Sequence, residues 1–274
     1  MREIKYKFYA TLLDAFQNYL DSDIIYEKYW GFSEEPPCTS EEFQEKQFQS
    51  LIDRINRVPC ESDAADKGTA FNEVIDCMVL NRRSDKIKVE RMYKIKVDGL
   101  IDPANGKVIG GDVTETNELA GLNVTYKEKT FYFPISLVRE FANYYKGAVP
   151  QVYVEAELET MFGNVLLYGY IDYSMPFCTH DLKTTSQYSV GKFKRNWQHI
   201  VYPYALVKSG SNVMDFEYNV AEIGKSYYRT YTESYSFSEE RDIPRLMIHC
   251  EDFIRFLNDN KSLITDKKIF NQKD

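Results

Sequence analysis

Residues 169–202 read GYIDYSMPFCTHDLKTTSQYSVGKFKRNWQHIVY. The apolar run Val165 to Tyr173 predicts a strand that carries Asp172 near its end. Met175-Pro176 predicts a turn, and His180 to Thr184 a second strand. Residues two apart on a strand share a face, so Asp181 and Lys183 point the same way and Leu182 points to the opposite layer. If the turn pairs the two strands, Asp172 lies opposite Asp181. Lys194 to Val207 predicts a helix on which Gln198 and Tyr202, four apart, share a face.

That juxtaposition has a chemical reading. Two carboxylates close enough to share a hard cation suit magnesium, which takes carboxylate and carbonyl oxygens and retains several waters. Such a cation stabilises charge developing on a scissile phosphate and makes a bound water more acidic. A lysine beside it can orient the attacking water or neutralise that charge. Asp-x-Lys alone arises by chance in most chains of this length. It gains weight here from Asp172 at hairpin distance and from Gln198 and Tyr202 downstream.

Upstream, Leu12, Leu13, Phe16, Tyr19 and Leu20 recur at helical spacing. Thr39-Ser40-Glu41-Glu42 reads as a capping box opening a helix with Phe48, Leu51, Ile52 and Ile55 on one face, ended by Pro59. Gly68 precedes a third helix. The period then changes: Met92 to Val97 alternates, and Val108 to Val113 reads as a short strand. Ile135 to Tyr145 predicts a helix, and Val152 to Leu158 a strand joined to Val165–Tyr173 by a turn at Met161–Asn164. Phe216 to Ile223 and Tyr227 to Thr232 are late strands, and Ile243 to Leu257 an amphipathic helix. These elements predict an α/β (α+β) fold, a mixed central sheet flanked by helices, with a helical N-terminal region over residues 1–65 packed on a core over 66–274.

The net charge of −8 argues against nucleic acid as a partner at the level of the whole molecule. The local distribution argues the other way. Lys183 to Met214 holds Lys183, Lys192, Lys194, Arg195 and Lys208 and no acid. Arg82 to Lys96 holds seven basic residues against Asp85 and Glu90. Phosphate contacts need a local basic stripe rather than a basic protein. The alternative for either run is a solvated face. Cys38, Cys60, Cys77, Cys178 and Cys250 are odd in number and widely spaced, with no CxxC, so reduced thiols are expected rather than a disulfide scaffold or zinc finger. No run of about 18 apolar residues and no secretory signal is visible, so a cytoplasmic protein with no membrane partner is expected. No Gly-x-Ser-x-Gly and no phosphate-binding Gly-Lys-Ser/Thr loop occurs.

Four segments in order resemble the PD-(D/E)XK nuclease superfamily, in its RecB-like and phage-exonuclease branch. Lys67-Gly68-Thr69-Ala70-Phe71-Asn72-Glu73-Val74-Ile75 resembles the branch's helical motif. Gly169-Tyr170-Ile171-Asp172 resembles its GxxD strand, Asp181-Leu182-Lys183-Thr184-Thr185 its (D/E)xK strand, and Gln198-His199-Ile200-Val201-Tyr202 its QxxxY helix. Thr11 to Phe16 resembles the helix that often opens such chains. The resemblance covers roughly residues 66 to 206 and implies a restriction-endonuclease-like core and a metal-dependent DNA nuclease of phage or prophage recombination or repair type. It implies Asp172 and Asp181 as metal ligands, the Leu182 carbonyl as a third, and Lys183 as the catalytic lysine. Gln198, Tyr202, Thr184, Lys192, Lys194 and Arg195 would support the site or the DNA.

Asn72 stands where the branch often has a metal-binding His. Its oxygen suits magnesium, but it lacks the imidazole suited to manganese. Glu73, Glu155 or Glu157 could complete the metal site instead; for Glu73 the alternative is a solvent-facing helix residue. Only Cys250 follows the motifs, which argues against the iron–sulfur cluster some relatives carry. The expected partners are linear duplex or single-stranded DNA, with a second copy of the chain or a recombination or helicase protein as the assembly, in a bacterial or phage-infected cell. An exonuclease is the leading expectation. An endonuclease cutting branched or foreign DNA, or a non-catalytic nucleic-acid-binding module with the same fold, fits the same residues.

Overall fold

The structure is a computed structural model that describes residues 3–101, 108–225 and 227–272; for 97–101 and 108–113 it describes the backbone course alone. In chain order the elements are β1 (Ile4–Tyr9), α1 (Ala10–Leu20), α2 (Ser22–Trp30), α3 (Ser40–Ile55), α4 (Asp63–Val79), β2 (Ile87–Ile101), β3 (Val108–Tyr126), β4 (Lys129–Pro134), α5 (Ile135–Tyr144), β5 (Val149–Thr160), β6 (Gly163–Ser174), β7 (Cys178–Thr185), α6 (Gln198–Lys208), β8 (Asp215–Ile223), β9 (Tyr228–Ser236) and α7 (Glu239–Asp259).

β6 is the hub of the main sheet. β5 runs antiparallel along all of it, from Val149↔Ser174 to Thr160↔Gly163. The opposite edge of β6 is therefore shared. β1 lies parallel against its first half, from Tyr6↔Val165 to Tyr9↔Tyr168. β7 lies antiparallel against its end, at Tyr173↔His180 and Ser174↔Thr179. β7 continues parallel to β8, and β8 antiparallel to β9, so the sheet is mixed. A second sheet holds the β2–β3 hairpin and β4.

Two buried clusters flank the main sheet. On β8, Phe216, Tyr218 and Val220 belong to one, and Ala221 and Ile223 to the other, so strand alternation places the clusters on opposite faces. The first joins Phe8, Leu12, Leu13 and Phe16 to Leu51, Ile52 and Ile55 of α3, to α6, and to Leu246, Phe253 and Leu257 of α7. Phe253 sits with its ring centroid 4.8 Å from both Phe8 and Phe16. The second packs Phe71 and Ile75 of α4 and Leu137 and Phe141 of α5 on Tyr173 and Leu182. Among the described residues no helix is long and apolar enough to cross a membrane.

Several elements differ from the sequence reading. The N-terminal segment is not wholly helical, because Ile4–Tyr9 pairs with β6. α4 begins at Asp63, five residues before Gly68, where the Ser62 side chain accepts the Ala65 amide at 3.3 Å. Gly68 instead lies inside the helix, where an added Cβ would stand 3.1 Å from Thr184 Oγ1, and its bareness lets α4 close on β7. The strand read at 108–113 extends to Tyr126, and β4 was not foreseen. α6 begins at Gln198 rather than Lys194. The capping box at Thr39 and Glu42 is present, with both reciprocal hydrogen bonds.

Gly169 lies in the stretch of β6 between its contacts with β1 and β7. An added Cβ would stand 2.7 Å from Tyr202 Cε1 and 3.0 Å from its hydroxyl. The glycine lets α6 approach β6. Gly169→Ala is expected to destabilise the fold by about 1–3 kcal/mol through overpacking, measured by urea unfolding, and Tyr202→Phe should not relieve that loss because the ring itself is in the way.

Candidate active site

Residues 169–172 of β6 have no strand partner on the edge that β1 and β7 share. The register Tyr173↔His180 would next pair Asp172 with Asp181, but the backbones part there. The Asp172 side chain bridges the gap: its Oδ2 accepts the Leu182 amide at 3.0 Å. A carboxylate thus replaces the carbonyl that a continued ladder would supply. The opening is a cleft of about 500 Å³. It holds Asp172, Asp181, Lys183, Gln198 and Tyr202, with Asn72 reaching in from α4.

Inside the cleft the polar groups close a ring. Lys183 Nζ donates to Gln198 Oε1 at 2.8 Å. Gln198 Nε2 donates to Asp181 Oδ1 at 2.5 Å. Asp181 Oδ2 lies 2.6 Å from Lys183 Nζ, an ion pair that closes the ring. Asn72 Nδ2 donates weakly to Asp172 Oδ2 at 3.5 Å. Among the described residues one buried oxygen, Asn72 Oδ1, therefore lacks any donor, and Asp181 Oδ2 is met by the Lys183 ammonium alone. An orphaned acceptor of this kind, beside two acids, fits a hard oxygen-seeking cation.

The electrostatics follow from burial. Burial and the neighbouring charge of Asp181 push the Asp172 carboxyl up to about 8, against the pull of Lys183 and the Leu182 amide. Burial opposes the charge on Lys183, but Asp181 and Asp172 outweigh it and hold the ammonium above its ordinary value. Burial raises the Tyr202 phenol, which therefore stays protonated.

Asp14 was missed by the sequence reading. It lies among Leu12, Leu13 and Phe16 on the buried stripe of α1, and an acid there was the available signal. Its Oδ1 accepts the backbone amide of Trp197, the residue that caps α6. Trp197 Nε1 also donates to Gln17 at 3.2 Å. α1 thus holds the start of the helix that carries Gln198 and Tyr202. Burial pushes Asp14 up to about 7.

Not every expected residue reaches the cleft. Glu73 is buried and ion-paired to Arg82 at 3.0 Å and Lys86 at 3.3 Å. It is neither a solvent-facing helix residue nor turned to Asp172, because burying it on α4 required cations from the following segment. Glu155 accepts from Tyr153 at 2.6 Å and Glu157 from Asn164 at 3.1 Å, and neither lines the acid cleft. Leu182 lines it. Thr184 packs on Gly68. Lys192 donates to Thr185 at 2.7 Å and to the Gln187 carbonyl at 2.8 Å. Arg195 pairs with buried Asp21 at 2.9 Å, and Lys194 is exposed. Lys192 and Arg195 thus brace the turn before α6, and all three side chains are exposed to solvent. His180 lies 2 % exposed on the opposite face of β7, as its spacing from Asp181 requires.

Tyr9, Arg57 and Tyr168 form one wall of the cleft. Arg57 adopts φ 55°, a left-handed conformation uncommon outside glycine. Its Nε pairs with Asp266 at 2.6 Å and its Nη2 donates to the Tyr168 hydroxyl at 3.3 Å. Arg57 and Tyr168 also line an adjoining concavity of about 810 Å³ with Lys7 and Lys268, so the cleft opens sideways past a cation.

No family model matches the chain, and no curated protein matches it. Among solved structures, that of SSO0001 aligns with 14 % identity and a TM-score of 0.30, over 45 % of this chain and 55 % of its own. A likeness that slight carries no argument about the site.

Asp172 and Asp14 hold protons in the folded state that the unfolded chain releases near 3.8. Stability without metal should therefore be greatest below about pH 4 for these two groups and fall as pH rises through 7 and 8. Asp172→Asn should flatten that slope and raise stability at pH 8 by about 1–2 kcal/mol, read by urea unfolding in EDTA. A mutant as pH-sensitive as the parent would mean that Asp172 is ionised throughout.

Proposed function

We propose that this chain is a magnesium-dependent deoxyribonuclease with a restriction-endonuclease-like core, acting at DNA ends. The observation that carries the reading is the convergence of Asp172, Asp181 and Lys183 where β6 and β7 part, with the unpartnered Asn72 Oδ1 facing them. Asp172 and Asp181 would hold the metal, with Asn72 Oδ1 and the Leu182 carbonyl as further oxygens. Bound there, magnesium supplies Lewis-acid stabilisation of the phosphate and a more acidic water.

The remaining work falls to the side chains. Lys183 keeps its charge, and from beside Asp181 it can hold the attacking water or the developing negative charge. Gln198 bonds both Lys183 and Asp181 and fixes their separation. Tyr202, packed on Gly169, fixes α6 and so Gln198. Arg57, at the rim, offers a planar donor set for a phosphate next to the scissile one.

The test is cleavage of end-labelled linear and covalently closed DNA with magnesium, manganese or EDTA. Loss of linear DNA alone, dependent on metal, is expected of an exonuclease. Loss of both substrates would assign an endonuclease, and DNA binding without cleavage would assign a non-catalytic module. Asp181→Ala should abolish cleavage while leaving DNA binding largely intact; persistent cleavage would overturn the site assignment. Lys183→Ala should lower kcat by roughly 10²–10³-fold, with the protein still folded by circular dichroism. Asn72→His should raise activity in manganese relative to magnesium, and an unchanged ratio would remove Asn72 from the metal's surroundings.

A further inference from the structure

The face of β7 opposite Asp181 and Lys183 carries a second constellation. Cys178 and His180 are two apart and share that face, and the parallel register sets Glu217 of β8 beside His180. A sulfur, a ring nitrogen and a carboxylate oxygen from these three residues all lie within 4.8 Å of one another. His180 Nδ1 is already 3.3 Å from Glu217 Oε2. A tetrahedral ion with ligands at about 2.0–2.3 Å needs donors roughly 3.5 Å apart. With no separation above 4.8 Å, the cluster exceeds that spacing by at most about 1.3 Å.

Three features set it apart from an ordinary polar patch. The Nδ1 of His180 already meets Asn219 Oδ1 at 3.1 Å, and its Nε2, on a side chain 2 % exposed, has no hydrogen-bond partner among the described residues. Buried polar atoms are seldom left so. Glu217 is oriented from behind, because the Tyr144 hydroxyl donates to its Oε2 at 2.6 Å and Asn219 Nδ2 at 3.1 Å. Outer partners of this sort position the carboxylate ligands of metal sites. Finally, the register also sets Asp215 beside Cys178, so both β8 partners of the cluster are acids. Cys178 and Glu217 are partly exposed, which leaves a solvent side for a fourth ligand.

We propose that Cys178, His180 and Glu217 bind a borderline divalent ion of the zinc class, which clips β7 to β8 on the face away from the acid cleft. The thiolate–imidazole–carboxylate set selects against magnesium, which the oxygen-lined cleft favours. The clip would brace the strand that carries Asp181 and Lys183, and it holds whether or not the cleft cuts DNA.

Cobalt(II) titration of the full chain tests this, since a thiolate-to-cobalt charge-transfer band reports a cysteine ligand alone. The band is expected to saturate at one equivalent, to be displaced by zinc, and to persist in Asp181→Asn, which weakens the acid cleft. Cys178→Ser should abolish it, and Glu217→Gln should weaken cobalt binding by at least roughly 10-fold. A second readout needs no variant: zinc should slow alkylation of Cys178, followed by peptide mass spectrometry, while exposed Cys60 reacts equally with and without it. Absence of the band, its survival in a folded Cys178→Ser, or alkylation of Cys178 at one rate in both conditions would each overturn the proposal.

Discussion

Two strands share one edge of β6, and the rest of the structure is arranged around that constraint. β1 takes residues 165–168 and β7 takes 173–174. The four residues between them have no strand partner on that side. Backbone left unpaired in an interior must find partners elsewhere or face a solvent-filled opening. Here Asp172 supplies an acceptor to Leu182, and the remaining space is the cleft. The acids therefore converge because the strands part.

That arrangement stores an unfavourable interaction. Two carboxylates and an ammonium sit together with the Asn72 Oδ1 acceptor unsatisfied, and Asp172 keeps its proton well above the ordinary range of an acid. The supporting shell is correspondingly well made. Asp14 holds the start of α6, Gly169 admits Tyr202, and Gly68 admits Thr184. The contrast between a frustrated centre and a closely fitted surround is the pattern by which local strain at functional sites persists.

Much of this was legible from residue order. The apolar run Val165–Tyr173 and the segment 180–184 located the two strands, and the turn at Met175-Pro176 located their pairing. The spacing of Asp181 and Lys183 set their shared face, and that of Gln198 and Tyr202 set theirs. What escaped was tertiary. The exception is Ile4–Tyr9, where Ile4, Tyr6 and Phe8 alternate with Lys5 and Lys7, a strand signal that the helical reading of the N-terminal third passed over. Glu73 sits beside Asn72 in the chain, yet a helix turns neighbours by about 100°, and Arg82 and Lys86 were close enough to take it. The run from Lys192 to Arg195 read as a basic stripe and is exposed, and what charge counting could not show is that Arg195 also pairs with Asp21. Asp14 was visible only as an acid on an apolar stripe, whose partner lies far along the chain.

The distance to that partner bears on how the protein is made. The contact between Asp14 and the Trp197 amide spans 183 positions, that between Leu13 and His249 spans 236, and that between Ile4 and Asn271 spans 267. A ribosome adding about 5–20 residues per second emits Trp197 roughly 10–40 s after Asp14. For that interval the Asp14 carboxylate lacks the amide it holds, although α3 and β6 have already been made for α1 and β1 to pack on. Contacts of such long range also close slowly even when the whole chain is present. The cleft, whose Gln198 and Tyr202 lie on α6, is consequently among the last features to form.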